Sequence, residues 1–296
     1  EKISGMTATA QAAAEEFYDF YDLQTVVIPP NKACLRRDLP DVIFTGTQAK
    51  AQALLEQIQD IHATGRPILV GTGSVSESET LAALIRDAGI ACQVLNAKND
   101  EQEARIVDQA GSLHAVTIST NMAGRGTDIR LGGGRAHEYE EVKALGGLHV
   151  IGTQRFESRR IDKQLRGRSG RQGDPGSSQF FISLEDELIR RYGLLDFVPR
   201  SSGNDQPIAD QRIGREIARA QRIIEDQNFQ IRKLRWKYSY LLEQHREVIY
   251  KKRDELLHQQ KTLHLLEKHL PQRFAELRAT VPKEVLEQSE REVALY

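Results

Sequence analysis

Cysteine is scarce: Cys34 and Cys92 are the only two in 296 residues, far apart and without a C-x-x-C pair. That excludes a disulfide framework and a thiolate zinc site, and it fits a reducing compartment. Long apolar runs are missing as well. The apolar runs, Ile68 to Val70 for example, are strand-sized, against the ~20 residues that a bilayer-spanning helix needs, so any membrane contact is expected at the periphery. Nor does one sign of charge dominate, since 41 Lys and Arg face 42 Asp and Glu for a formal net charge of −1. A uniformly basic coat for nucleic acid is excluded, and any basic surface has to be local.

Two motifs are also missing. No G-x-x-x-x-G-K-[ST] occurs, because the Gly-rich stretches at Gly71, Gly132 and Gly170 lack the Lys-Ser/Thr ending. There is no acidic strand-end quartet of the D-E-A-D type to hold Mg²⁺. The chain opens at Glu1 without an initiator Met, signal peptide or transit pattern, which reads as a piece of a longer chain.

What is present belongs to a folded protein: 39% hydrophobic and 28% charged residues, and a length that gives a prior of about two domains. From Thr25 to Leu184, short apolar runs alternate with helix-like stretches. The runs are Thr25 to Ile28, Ile68 to Val70, Cys92 to Leu95, Ala115 to Ser119, His149 to Ile151 and Phe180 to Leu184. Helices are predicted at Gln48 to His62, Val75 to Ala88 and Glu101 to Ala110. Such alternation is the mark of a parallel α/β sheet.

The composition changes after Phe197, where Pro199, Ser201, Ser202, Gly203, Asn204 and Pro207 form a linker or turn cluster. Two domains are expected, 1–198 and 199–296. Beyond the linker only helix fits, since Asp210 to His269 contains no Pro and one Gly, and Ile213, Ile217, Ala220 and Ile224 recur at helical spacing. A helix from Asp210 to Leu257 spans about 70 Å, the length of a scaffold or lever. Further helical segments are expected after Pro271 and from Pro282.

Chemistry concentrates in Gln164-Leu-Arg-Gly-Arg-Ser-Gly-Arg171. Between 155 and 171 there are seven basic and two acidic residues, so an anion is the natural ligand. Guanidinium forks match phosphate oxygens and can neutralise charge on a transferred phosphoryl group. A solvated basic face is the alternative, and it has no need of the interspersed glycines. A second segment, Thr120-Asn-Met-Ala-Gly-Arg125-Gly-Thr-Asp128, follows an apolar run, so its loop is expected beyond the carboxyl end of a strand, where ligands bind in open α/β sheets. Gly124 and Gly126 allow close backbone approach, Arg125 offers a charged fork, and Asp128 can accept from a ribose hydroxyl or a metal-bound water. On these residues alone the alternative is an ordinary Gly-rich turn with a surface Arg and Asp. The stretch Leu69-Val-Gly-Thr-Gly-Ser-Val-Ser76 suits a phosphate at a helix N-terminus, but it lacks the third Gly of a dinucleotide fingerprint. Helix capping by Ser74 or Ser76 is expected instead.

Taken together, Ser4 to Ala10, Asn96-Ala-Lys98, Val116 to Ile129, Gly146 to Thr153, Glu157-Ser-Arg-Arg-Ile-Asp162 and Gln164 to Ser178 resemble the SecA family, the ATPase motors of bacterial preprotein export. The resemblance resumes at Ala218 to Arg222 and Asn228 to Lys233. It implies a second RecA-like nucleotide-binding domain followed by the start of a long helical scaffold. Arg168 and Arg171 would be arginine fingers, Gln164 a motif partner, and Arg125, Asp128, Gly124 and Gly126 the other contacts to nucleotide. ATP with Mg²⁺ would lie in a cleft shared with a first motor domain. The implied partners are that upstream domain, a Sec-type membrane channel and unfolded preprotein, with anionic lipid as a further one and no nucleic acid. The implied place is the cytoplasm, peripherally on the inner face of the cell membrane.

Departures from the family pattern are visible. Asn99-Asp100 stands where an aromatic and a His are usual, and Leu234-Arg-Trp-Lys-Tyr-Ser-Tyr240 replaces an acidic pattern, which suggests a divergent or accessory form. No C-terminal Cys/His motif is present, so no metal site is implied. Two other readings stay open at this point: half of a superfamily 2 nucleic-acid motor, and a nucleotide-independent interaction module.

Overall fold

The computed structural model describes residues 3–7, 9–95, 100–120, 126–193, 206–208, 210–259, 262–286 and 288. Its strands are β1 (Leu35–Asp38), β2 (Val42–Phe44), β3 (Ile68–Thr72), β4 (Gln93–Leu95), β5 (Val116–Thr120), β6 (Leu148–Gly152) and β7 (Pro175–Ser183). They form a wholly parallel sheet in the order β1-β7-β6-β3-β5-β4, with β2 pairing the far half of β7. The helices are α1 (Ala14–Tyr21), α2 (Thr47–Ala63), α3 (Val75–Asp87), α4 (Asp100–Gln109), α5 (Ala136–Ala144), α6 (Arg159–Arg166), α7 (Glu187–Arg191), α8 (Gln211–Gln259), α9 (Thr262–His269) and α10 (Pro271–Thr280).

Side chains of the central strands alternate between two cores, as the period of two in a strand requires. Ile68, Val70, Ile118, Ile151 and Phe181 pack with Leu54 and Ile58 of α2 and Leu81 and Ile85 of α3. Leu69, Leu148 and Val150 face Val107 of α4 and Val142 of α5. Phe180 and Ile182 meet Ile213, Ile217, Ala220 and Ile224 of α8. Both faces are covered, so β3 and β6 are buried along their whole length, the usual condition of a parallel sheet.

Most sequence-predicted elements form where expected, and one does not. Thr25 to Ile28 pairs with no strand, and Val26 and Ile28 are each 78% exposed. Apolar content alone does not make a strand without a neighbour to complete its ladder. The edge position goes to Leu35-Arg-Arg-Asp38, whose polar outer side suits an edge. The expected helix starting at Val75 is N-capped by Ser74, which accepts from the Glu77 amide at 3.1 Å. Glu77 in turn accepts from the Gly73 amide, one residue before the N-cap, at 2.7 Å, so the chain's own carboxylate occupies this helix N-terminus.

The architecture is a RecA-like parallel sheet flanked by helices, followed by a long helix. At 49 residues, α8 is about 74 Å long. By packing, the chain divides into units 1–229 and 230–296. The first unit takes in the start of α8 because its apolar stripe is buried on β7. The composition boundary at 198/199 lies outside the described residues. In the second unit Trp236 stacks on Tyr240, with ring centroids 5.7 Å apart. Among the described residues, no helix is long and apolar enough to cross a membrane.

Candidate functional site

The arginine-rich segment is built by α6 and the turn that ends it. Ser158 caps the helix by accepting from the Arg160 amide, and the helix stops at Gly167. The turn that follows needs left-handed backbone at Gly170, Gln172 and Gly173, where glycine carries no steric penalty. Gly170 is required twice over, because a Cβ there would sit 2.5 Å from Cβ of Arg36.

The turn brings two guanidinium groups to one carbonyl. Arg168 Nη1 donates to the Thr127 carbonyl at 3.1 Å, and Arg171 Nη1 donates to the same oxygen at 3.4 Å. Arg171 is further fixed through Nε to the Gly167 carbonyl at 2.8 Å and through Nη1 to Asp128 Oδ1 at 2.7 Å. Gln172 approaches the other oxygen of Asp128 at 3.4 Å. The Arg171 side chain stays 34% exposed and that of Asp128 40%. Two guanidinium groups are thus held side by side at the surface, the second of them paired with Asp128.

Of the sequence-predicted residues, Arg168, Arg171 and Asp128 come together; Gln164 is half-buried on α6, one helical turn before Arg168. Gly126 has φ +89° with nothing within 4 Å of where a Cβ would stand, so it serves backbone conformation rather than space. Gly124 and Arg125 lie outside the described residues. One expectation is corrected. The loop leaves the carboxyl end of β5 at Thr120, but by Gly132 it has returned to the turn before the amino end of that strand, where the Gly132 amide donates to the Gly111 carbonyl at 2.7 Å. Arg171, four residues before the start of β7 at Pro175, meets Asp128 on this same side. The cause is close packing: the Arg130 carbonyl lies against Gly111, 2.0 Å from where a Cβ would be.

Several contributors escaped the sequence reading. A cleft of about 680 Å³ adjoins Asp128 and Arg171, and Lys32, Arg130 and Arg135 line it. Tyr139 closes one side by donating to Asp174 at 2.7 Å; that bond raises the tyrosine pKa. Lys32 comes from the loop before β1 and the two arginines from the connection between β5 and α5, so no local spacing announces the group. Asp128, Glu140 and Asp174 line the same cleft, so its charge is mixed. Among the described residues, no three His, Cys, Asp or Glu side chains are grouped to hold a metal ion.

The parallel sheet, its strand order and the long helix that follows define a RecA-like domain joined to a helical scaffold. The chain belongs to the SecA family: the model described as the SecA P-loop domain matches residues 33–141 and 134–198, and the SecA Wing and Scaffold domain matches 207–294. A protein translocase subunit SecA from Halothermothrix orenii is 51% identical over 263 residues, covering 87% of this chain and 30% of that protein. A protein translocase subunit SecA 2 from Clostridioides difficile is 51% identical over 261 residues, covering 87% of this chain and 33% of that protein. The chain therefore spans about a third of the length of these relatives. Among solved structures, the DEAD-box protein SrmB of E. coli is similar with a TM-score of 0.40 and 18% identity, over 55% of this chain and 87% of that one.

Proposed function

We propose that the chain is the second motor half, residues 1–198, and the start of the helical scaffold, residues 199–296, of a SecA-type ATPase that couples ATP hydrolysis to export of unfolded preproteins through a Sec-type membrane channel. The observation that carries this reading is the convergence of Arg168 and Arg171 on the Thr127 carbonyl. Two guanidinium groups fixed in advance cost little reorganisation when charge develops on a phosphoryl group. In this reading Arg168 and Arg171 act as arginine fingers, Asp128 orients Arg171, and Gln164, Gly124, Arg125 and Gly126 complete the contact surface for ATP. The upstream motor domain supplies the phosphate cradle and the Mg²⁺ ligands. The protein works in the cytoplasm, held peripherally at the inner membrane face by the channel and by anionic lipid.

A nucleic-acid motor draws less support from the molecule. At the carboxyl end of β3, the helix N-terminus that would take a backbone phosphate is filled by the Glu77 carboxylate. The deciding experiment measures ATP turnover by the full-length protein with and without channel vesicles and preprotein, beside its binding to RNA. Turnover that rises with preprotein and disappears in Arg168→Ala is expected. Stimulation by RNA with a steep salt dependence, and none by preprotein, would overturn the reading.

A further inference from the structure

The apolar stripe that seats α8 on the sheet has one interruption. Among Ile213, Ile217, Ala220 and Ile224 stands Gln221, which is only 3% exposed, although a buried amide without partners is costly. Its partners lie at the start of α6. Gln221 Nε2 donates to the Phe156 carbonyl at 2.6 Å and to Asp162 Oδ2 at 2.9 Å. One turn further along α8, Glu225 Oε1 accepts from the Arg159 amide at 2.7 Å, and Oε2 accepts from Arg159 Nε at 2.8 Å. The Ser158 hydroxyl also reaches Glu225 Oε1, at 3.3 Å.

A carboxylate from α8 therefore takes up an orphan amide at the positive end of α6, where negative charge is favoured. Asp162 is gripped at the same time by the Phe156 amide and by Arg155, which in turn holds Asp41 through paired hydrogen bonds. α6 has eight residues, about 12 Å of rigid helix, and its far end runs directly into Arg168 and Arg171. An apolar stripe tolerates small sliding, whereas these hydrogen bonds hold one register because they weaken steeply with misalignment.

We propose that Gln221 and Glu225 are positioning residues: through them α8 sets where α6 stands, and hence where Arg168 and Arg171 are presented, so a displacement of α8 reaches the nucleotide side of this domain through α6. The inference rests on the arginine-finger reading above, and its test separates the two. Steady-state ATP turnover is measured on the full-length protein for Glu225→Ala, Glu225→Gln and Gln221→Met, with Arg168→Ala and Arg171→Ala as references. Glu225→Ala and Gln221→Met are expected to lower kcat about 10- to 100-fold, the effect of a displacement of about 1 Å at reacting groups, with KM for ATP nearly unchanged. Glu225→Gln keeps an acceptor for the Arg159 amide and is expected to recover part of the loss. A residue that merely cements the fold would lower the melting temperature and leave kcat of the folded protein intact, and that result overturns the proposal while the arginine reading stands. Full turnover in Arg168→Ala and Arg171→Ala overturns both. Should Glu225→Ala fail to fold, Glu225→Gln and Gln221→Met, which conserve volume, carry the same comparison.

Discussion

Arg171 and Asp128 are 43 residues apart in sequence and joined by an ion pair of 2.7 Å. The pair ties the turn after α6 to the loop after β5, so the direction of the Arg171 guanidinium depends on a residue from a different crossover. Asp128 is therefore expected to act through Arg171. In the full-length protein, Arg171→Ala should lower kcat by about 10³-fold or more, and Asp128→Asn by less. The double variant should be no worse than Arg171→Ala alone, since coupled residues are not additive. Independent, multiplying losses in the double variant would give Asp128 a contact of its own.

The polypeptide of 296 residues is expected to hydrolyse ATP negligibly by itself. It carries the arginines but no G-x-x-x-x-G-K-[ST] cradle, and a positioned charge without a held phosphate has nothing to act upon. Purified chain is assayed for phosphate release against its Arg168→Ala variant. Robust turnover that the substitution abolishes would show the cradle to be unnecessary.

Acid sensitivity is expected from His149, which is 1% exposed between β3 and β7. Arg66 Nη2 donates to the Ser177 hydroxyl at 2.7 Å, and that hydroxyl lies 2.6 Å from His149 Nδ1. Burial, and then the nearby Arg66 charge, push the His149 pKa down to about 4. Between about pH 6.5 and 4 the unfolded chain binds the proton that the folded chain refuses. Stability from this group is therefore present above pH 6.5 and is lost as pH falls toward 4, at up to about 1.4 kcal/mol per pH unit. Urea unfolding at stepped pH should show that slope reduced in His149→Gln; an unchanged slope would assign the acid sensitivity elsewhere.

How far such relationships can be read from sequence depends on how many faces of an element are buried. β3 and β6 are covered on both sides and read as continuous apolar runs, so they were legible. β1, Leu35-Arg-Arg-Asp38, has one side in water and no apolar signal, while the exposed Val26 and Ile28 imitated a strand. At the site, the Arg and Gly spacing pointed to Arg168 and Arg171 because the chemistry is local. The Asp128 contact depends on the return of a loop past Gly111, and the Gln221 and Glu225 contacts on the packing of α8 over α6. Neither leaves a trace in local spacing.

The last expectation concerns the second unit, where Leu234-Arg-Trp-Lys-Tyr-Ser-Tyr240 sets three aromatic rings within two turns of α8. Part of the reason is internal: Trp236 and Tyr240 are one helical turn apart and stacked, a pair worth about 0.5–1.5 kcal/mol beyond buried area. Yet Trp236 remains 39% exposed, with Tyr238 at 62% and Leu242 at 67%. Large rings left open along a helix with twelve Lys or Arg against seven Asp or Glu between 211 and 255 suit a partner surface that is acidic or aromatic-lined. Trp236 is therefore expected to become more buried when the chain is part of the intact motor. It is the only tryptophan in the chain, so emission from the isolated polypeptide reports it alone. The full-length protein is then compared with its Trp236→Phe variant to extract the same signal. A shift of that signal to shorter wavelength is expected, with a further response to nucleotide or channel. An emission identical to that of the isolated chain, and indifferent to both, would confine the aromatic cluster to the stability of the helix itself.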